Sequence, residues 1–111
     1  MDVCLSHVGI NAGSEAEAQS IAALFHLLFG METRNRRNQI FMDSCIEIMK
    51  TPGPGEKGHL AFKVHDLEAA VADMKAAGIE FAEESFKYDE KGGLSAAYLR
   101  DEIAGFAIHL I

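Results

Sequence analysis

Residues 58–64 read GHLAFKV, and they restart a pattern that the chain has already run once from residues 5–12, LSHVGINA. Each stretch is strand-like and each carries a histidine near its start, His7 in the first and His59 in the second. Residues 14–29, SEAEAQSIAALFHLLF, follow the first stretch as an amphipathic helix. Ala18, Ile21, Ala22, Phe25, Leu28 and Phe29 recur there at three- and four-residue steps, so that face must pack on a sheet. Ser14 and Glu17 form an S-x-x-E capping box at the helix start, and Gly30 stops it. His26 lies off the packing face and reads as a surface residue. In the second stretch Asp66 caps the matching helix, residues 67–77, LEAAVADMKAA, which Gly78 ends.

Three strand candidates follow each helix. In the first half they are residues 32–35, 39–43 and 45–50, the last two joined as a tight hairpin around Asp43 and Ser44. In the second half they are residues 80–87, 95–100 and 106–111, with turns at residues 91–93 and 101–105. Both prolines fall in residues 51–57, TPGPGEK, a loop because proline and glycine together defeat regular structure. Each half reads β-α-β-β-β, and an internal duplication of about 50 residues is the economical explanation. The expected fold is α+β within one domain, residues 1–111. Module one (1–50) and module two (58–111), joined by the linker 51–57, form a curled mixed sheet with the helices outside.

At 49% apolar and 24% charged residues the composition is that of a soluble globular unit, and no apolar run approaches the roughly 18 residues of a membrane span. The N-terminal MDVCLSHVGI lacks a basic segment, a long apolar stretch and a small-residue cleavage site, so the cytoplasm is the expected compartment. Seventeen acidic against ten basic residues leave a net charge of −7, which repels nucleic acid and anionic membranes. The one basic cluster, Arg34 with Arg36 and Arg37, is either a solvated turn or a clamp for an anionic substrate. Cys4 and Cys45 are expected as free thiols in a reducing compartment, and neither is assigned a catalytic role.

Strand side chains alternate between the two surfaces of a sheet, which gives each polar residue in an apolar strand a side. If Val8, Ile10, Ile46, Ile48, Leu60, Phe62, Val64, Phe106, Ile108 and Leu110 face the helices, then His7, Glu47, His59 and His109 all face the inner, concave surface. Any one of them alone would be read as a hydrogen-bonded or pocket-lining polar residue. Glu47 between two isoleucines needs a charge partner, however, and the four occupy matching places in the repeat. Three imidazoles and one carboxylate suit a divalent ion such as zinc, nickel, cobalt, manganese or iron(II) and leave positions for two neighbouring substrate oxygens. Lys63, on the same face as His59, is either a carboxylate ligand for substrate or a snorkelling surface lysine.

The segments SHVGI, IEIM, GHLAF and GFAIHLI, in that order and spacing, resemble the glyoxalase/bleomycin-resistance, or vicinal oxygen chelate, superfamily over nearly the whole chain. That resemblance implies metal-binding roles for His7 and His59 and for the carboxylate Glu47. His109 stands where most metal-dependent members carry glutamate, which argues against lactoylglutathione lyase activity itself. More narrowly, HVGINA, IEIMK, GHLAF, KYDEKGGLSAAYLRDEI and GFAIHL resemble a small domain of this superfamily fused to some ketodeoxyphosphogluconate aldolases. The narrower resemblance implies a sugar-acid or 2-oxo-acid ligand without the aldolase activity, whose barrel does not fit in 111 residues.

The function expected from all this is a metal-dependent lyase or isomerase of glyoxalase type. It would chelate a small 2-oxo or 2-hydroxy acid and promote proton transfer next to the carbonyl, with Glu47 as base, His109 second, and Lys63 and Arg34 on the substrate. A binding module of the resistance type, or an accessory domain of sugar-acid metabolism, is the alternative. Iron-dependent ring cleavage ranks third, because it wants a carboxylate where His109 stands. The expected assembly is a homodimer, with the modules closing a site within one chain or exchanged between chains.

Overall fold

The structure, a computed structural model, describes residues 2–111. Its elements run β1 (Val3–Asn11), α1 (Glu15–Phe29), β2 (Thr33–Asn35), β3 (Gln39–Met42), β4 (Ile46–Met49), β5 (Gly58–Val64), α2 (Leu67–Ala76), β6 (Phe81–Tyr88), β7 (Leu94–Leu99) and β8 (Phe106–Leu110). All eight strands join one curled sheet in the order β2-β3-β4-β1-β5-β8-β7-β6. The seam is the antiparallel pair β1 and β5; β4 runs parallel to β1 on one side and β8 parallel to β5 on the other. The sheet therefore passes without a break from the first half of one chain into the second.

Local chemistry fixes the element ends. The Ser14 hydroxyl accepts a bond from the Glu17 amide at 3.1 Å, and the Asp66 carboxylate accepts one from the Ala69 amide at 3.1 Å, so each helix starts on the capping residue expected of it. Gly30 closes α1 in the left-handed region at φ 65°, its amide bonded to the His26 carbonyl. The β6–β7 turn is held by the Asp89 carboxylate, which accepts from the amides of Lys91 and Gly93.

Two apolar clusters fill the space between sheet and helices. Between α1 and the sheet lie Ala18 and Ala22 of the helix and Ile40, Met42 and Ile48 of the strands, with Ile21, Phe25 and Ile46 packed against them. Between α2 and the sheet lie Val71 of the helix and Val64, Phe81, Ala97, Ile108 and Leu110 of the strands, with Leu60 and Phe62 beside them. Burial of a side chain such as Ile48 contributes about 1.5–3 kcal/mol, which makes the alternation of β4 and β5 the main determinant of which face looks inward. Val8, Ile10 and Phe106 belong to neither cluster and are half-buried.

The helix face on α1 is shorter than its periodicity suggests. Leu28 is 66% and Phe29 70% exposed, where both were expected to pack. The 15 residues of α1 span about 22 Å. Strands β3 and β4 beneath it, at 4 residues each, span about 13 Å. The last turn thus runs past the strands that could cover it. His26 is exposed as expected, and its Nδ1 bonds the Met31 carbonyl at 2.9 Å. At the other end of the helix, buried Lys50 donates to the Arg36 carbonyl at 2.7 Å and the Glu15 carboxylate at 3.2 Å, tying α1 to the end of β4.

Candidate functional site

Residues paired across neighbouring strands share a face, so the register shows which side chains meet in the concavity. One row reads Arg34, Phe41, Glu47, Gly9, His59, Ala107 across β2, β3, β4, β1, β5 and β8. The next reads His7, Ala61, His109, Tyr98, Ala82 across β1, β5, β8, β7 and β6. His7, Glu47, His59 and His109 thus fall in two adjacent rows over the central seam, as strand alternation predicts. A bulge at Ser6 shifts the register so that Leu5 pairs with Phe62 while His7 pairs with Ala61, and the Ser6 hydroxyl lies 3.3 Å from His7 Nδ1.

Three atoms converge there. His59 Nε2 is 3.0 Å from Glu47 Oε1, His7 Nε2 is 3.8 Å from the same oxygen, and the two Nε2 atoms are 3.3 Å apart. A ring nitrogen of His109 joins the group, with the imidazole donors of His7, His59 and His109 all within 4.8 Å of one another. Gln39 donates from its amide to Glu47 Oε2 at 3.4 Å, so both carboxylate oxygens are engaged. Tyr98 stacks flat on His109, ring centroids 4.2 Å apart and planes within 2°.

His59 is 3% exposed and lies directly over Gly9. A Cβ built on Gly9 would stand 2.0 Å from His59 Cε1 and 2.1 Å from its Nδ1, a separation no carbon tolerates. The absent side chain at position 9 is what lets His59 turn its Nε2 toward Glu47.

The electrostatics follow from this packing. The His59 hydrogen bond, against the cost of burial and with help from the nearby imidazoles and Gln39, holds the Glu47 carboxyl below the usual carboxylate range. Burial lowers His7 despite the Glu47 charge. His109 is pushed down to about 4, first by burial and then by the neighbouring His59, His7 and Lys87 charges, so its imidazole is neutral at pH 7. Tyr98 is pushed up by burial and by Glu47.

Whether these residues suit a divalent cation can be tested on the distances. Atoms separated by 3.0, 3.3 and 3.8 Å lie on a circle of radius about 2.0 Å, the length of a bond from such an ion to imidazole nitrogen or carboxylate oxygen. Three ligand-type atoms thus surround one point. The Nδ1 atoms of His59 and His109 are buried without a hydrogen-bond partner among the described residues, and an ion held at Nε2 of His59 would leave its Nδ1 unpaired. The donor set fits a borderline divalent ion.

The two expected substrate residues stand apart from this cluster. Arg34 shares a row with Glu47 but sits on the edge strand, its guanidinium donating to the Asp43 carbonyl at 2.9 Å and lying 5.7 Å from the centre of the Phe41 ring. Lys63 is exposed opposite Cys4, beside an open depression that includes Asp2 and His65. Gln39, Tyr98 and Gly9 are neighbours of the cluster whose residue types do not mark them as metal ligands. Alternation along β3 and β7 carries the signal for the first two, since Ile40, Met42, Ala97 and Leu99 all pack under the helices.

Solved structures share the fold at low identity. A hypothetical protein from Bacillus halodurans C-125 superposes with a TM-score of 0.69 at 16% identity, covering 99% of this chain and 94% of that one. Methylmalonyl-CoA epimerase from Mycobacterium tuberculosis gives 0.65 at 19% identity over 96% of this chain and 85% of that one. A single-residue variant of the Streptomyces coelicolor methylmalonyl-CoA epimerase, in complex with 2-nitronate-propionyl-CoA, gives 0.64 at 16% identity over 96% of this chain and 94% of that one. No curated protein sequence is a significant match. The family model described as Glyoxalase/Bleomycin resistance protein/Dioxygenase superfamily matches residues 11–110, and with the curled eight-stranded sheet already in view the chain belongs to that superfamily.

Proposed function

We propose that this protein is a divalent-metal-dependent enzyme, a lyase or isomerase, that binds a small 2-oxo or 2-hydroxy acid and moves a proton at the carbon next to its carbonyl. The observation that carries the reading is the convergence of His7 Nε2, Glu47 Oε1 and His59 Nε2 on one point. These three residues hold the ion, which when bound supplies positive charge to neighbouring carbonyl and carboxylate oxygens of the substrate.

Glu47 and His109 divide the remaining work. Glu47 has both carboxylate oxygens engaged, by His59 and by Gln39, and serves as the anchor. His109 lies further out, is unprotonated at neutral pH and is held in orientation by the Tyr98 ring, which suits it to accept and return the proton. An anionic substrate arriving beside it raises its affinity for that proton.

Elemental analysis of protein purified without chelator, with a screen of 2-oxo and 2-hydroxy acids by proton–deuterium exchange in heavy water, tests the reading. The expected result is one divalent ion per chain and exchange next to the carbonyl that stops on chelation. His109→Ala should keep the ion and lose exchange by at least about a hundredfold. Exchange that persists after the metal is removed would overturn it, and loss of the ion in His109→Ala would make that residue a ligand instead.

A further inference from the structure

Beyond the histidine rows the concave face carries a third row with two lysines in it, Lys63 on β5 and Lys87 three strands away on β6. On β5 the inward set His59, Ala61 continues to Lys63, opposite Cys4 on β1. On β7 the inward residue after Tyr98 is Ala96, opposite Lys87 on β6. Lys87 reaches that face through an interruption of the β6–β7 register between Ala82 and Lys87. The Ser85 hydroxyl locks the interruption, donating to the Ala82 carbonyl at 2.6 Å and accepting from the Tyr98 amide at 2.9 Å. Phe86 turns the other way, toward the cluster under α2.

Both lysines are exposed, and among the described residues neither makes an ion pair with a carboxylate. In a chain of net charge −7 this is uncommon company for two cations on one face. Four residues along β5 separate Lys63 from His59, about 13 Å, and a lysine stem recovers roughly 6 Å of that. An ammonium group can therefore come within roughly 7 Å of the histidine nitrogens, the reach of a chain of about four or five atoms.

We propose that Lys63 and Lys87 form a subsite for a second anionic group at the far end of the substrate, so that the acid turned over carries a terminal phosphate or carboxylate. The proposal rests on the reading of the histidine cluster for the chelated end of that substrate, and on the sheet register alone for the basic end.

Two measurements keep the two ends separate. Inorganic phosphate is titrated into metal-free protein and followed by amide chemical shifts. Shifts grouped around Lys63, Ala96 and Lys87, lost in the K63Q/K87Q variant, are expected; their absence overturns the subsite whatever the metal does. Calorimetry on metal-loaded protein then compares glycerate with 3-phosphoglycerate and 2-oxobutanoate with 2-oxoglutarate. The doubly anionic member of each pair should bind about tenfold more tightly at low salt, and the preference should fall to about threefold or less in K87Q while the affinity for glycerate is unchanged. A preference for the phosphate pair alone identifies the terminal group as phosphate, and for the carboxylate pair alone as carboxylate. Equal affinities within both pairs, or a preference that survives K63Q/K87Q, overturns the proposal. Phosphate shifts in a protein that takes up no metal would instead sink the reading of the histidine cluster and leave the basic subsite standing.

Discussion

Replacing Gly9 with alanine should disable the histidine cluster without touching a titratable group. The backbone there is ordinary strand, so alanine is compatible with it and even regains some of the entropy that glycine loses on folding. The obstacle is the His59 ring. An added Cβ stands 2.0 Å from Cε1, and restoring an ordinary contact of about 3.4 Å pushes the ring out by about 1.4 Å. Glu47 Oε1 is 3.0 Å from His59 Nε2, so displacement on that scale breaks the bond and opens the three-atom convergence. Overpacking of this kind costs about 1–3 kcal/mol, which in a domain of this size lowers the melting temperature by roughly 5–15 °C. Affinity for the ion should fall at least about a hundredfold, more than the loss of an outer-shell partner would cause. Circular dichroism establishes that Gly9→Ala is folded, and equilibrium dialysis against zinc with elemental analysis reads the affinity. His59→Ala added to Gly9→Ala should change that affinity little, because both act through one ring. A folded Gly9→Ala protein that binds zinc within about threefold of the parent would refute the reasoning.

Tyr98→Phe should preserve the stack on His109 and leave stability within about 0.5 kcal/mol, whereas Tyr98→Leu should cost about 1 kcal/mol and broaden the His109 ring signals in proton spectra. Lys50→Met leaves the Arg36 carbonyl without its donor and should destabilise by about 1–3 kcal/mol in urea unfolding, with zinc uptake unchanged. In metal-free protein, stability should decline as pH falls from 7 to 4. His109 and His7 take up protons more readily unfolded than folded, as does Glu47, so each favours the unfolded chain as acid is added. After solvent screening the His109 share is on the order of 1–2 kcal/mol, and a urea midpoint no lower at pH 4.5 than at pH 7 would contradict it.

Where a strand has one apolar and one polar face, sequence was enough to orient it. Ile46 and Ile48 bracket Glu47, and Leu60, Phe62 and Val64 bracket His59 and Lys63; burial of the first set leaves the second no other side. What alternation could not carry was distance. Lys63 and His59 share a face, yet nothing in a period of two says that one sits over the seam and the other at its open end. The bulge at Ser6 was equally silent, because LSHVGIN alternates acceptably with or without it. Gly9 is a different case. Glycine in a strand marks a close approach as readily as a weak spot, and only the position of a side chain 50 residues away decides which.

The register also explains why the duplicated halves do not build a symmetric site. His7 pairs with Ala61 and Gly9 with His59 across the seam, while Glu47 neighbours Gly9 and His109 neighbours Ala61. A two-fold axis between β1 and β5 therefore exchanges His7 with His59, Gly9 with Ala61 and Glu47 with His109. The donors obey it in position but not in burial. Opposite Gly9 the His59 ring settles onto the backbone, 4% of its side chain exposed; opposite Ala61 a methyl group stands where His7 would settle, and 17% of its side chain is exposed. One methyl group thus leaves His7 more exposed than its two-fold mate His59. Ala61→Gly removes the obstacle and should let the His7 ring sink, lengthening its reach to His109 while leaving the Glu47–His59 contact in place. NOEs from the His7 ring to the backbone at position 61, absent in the parent and present in the variant, are the expected sign. If His7 stays as exposed in Ala61→Gly as in the parent, the asymmetry is set by the Ser6 bulge and not by the methyl group.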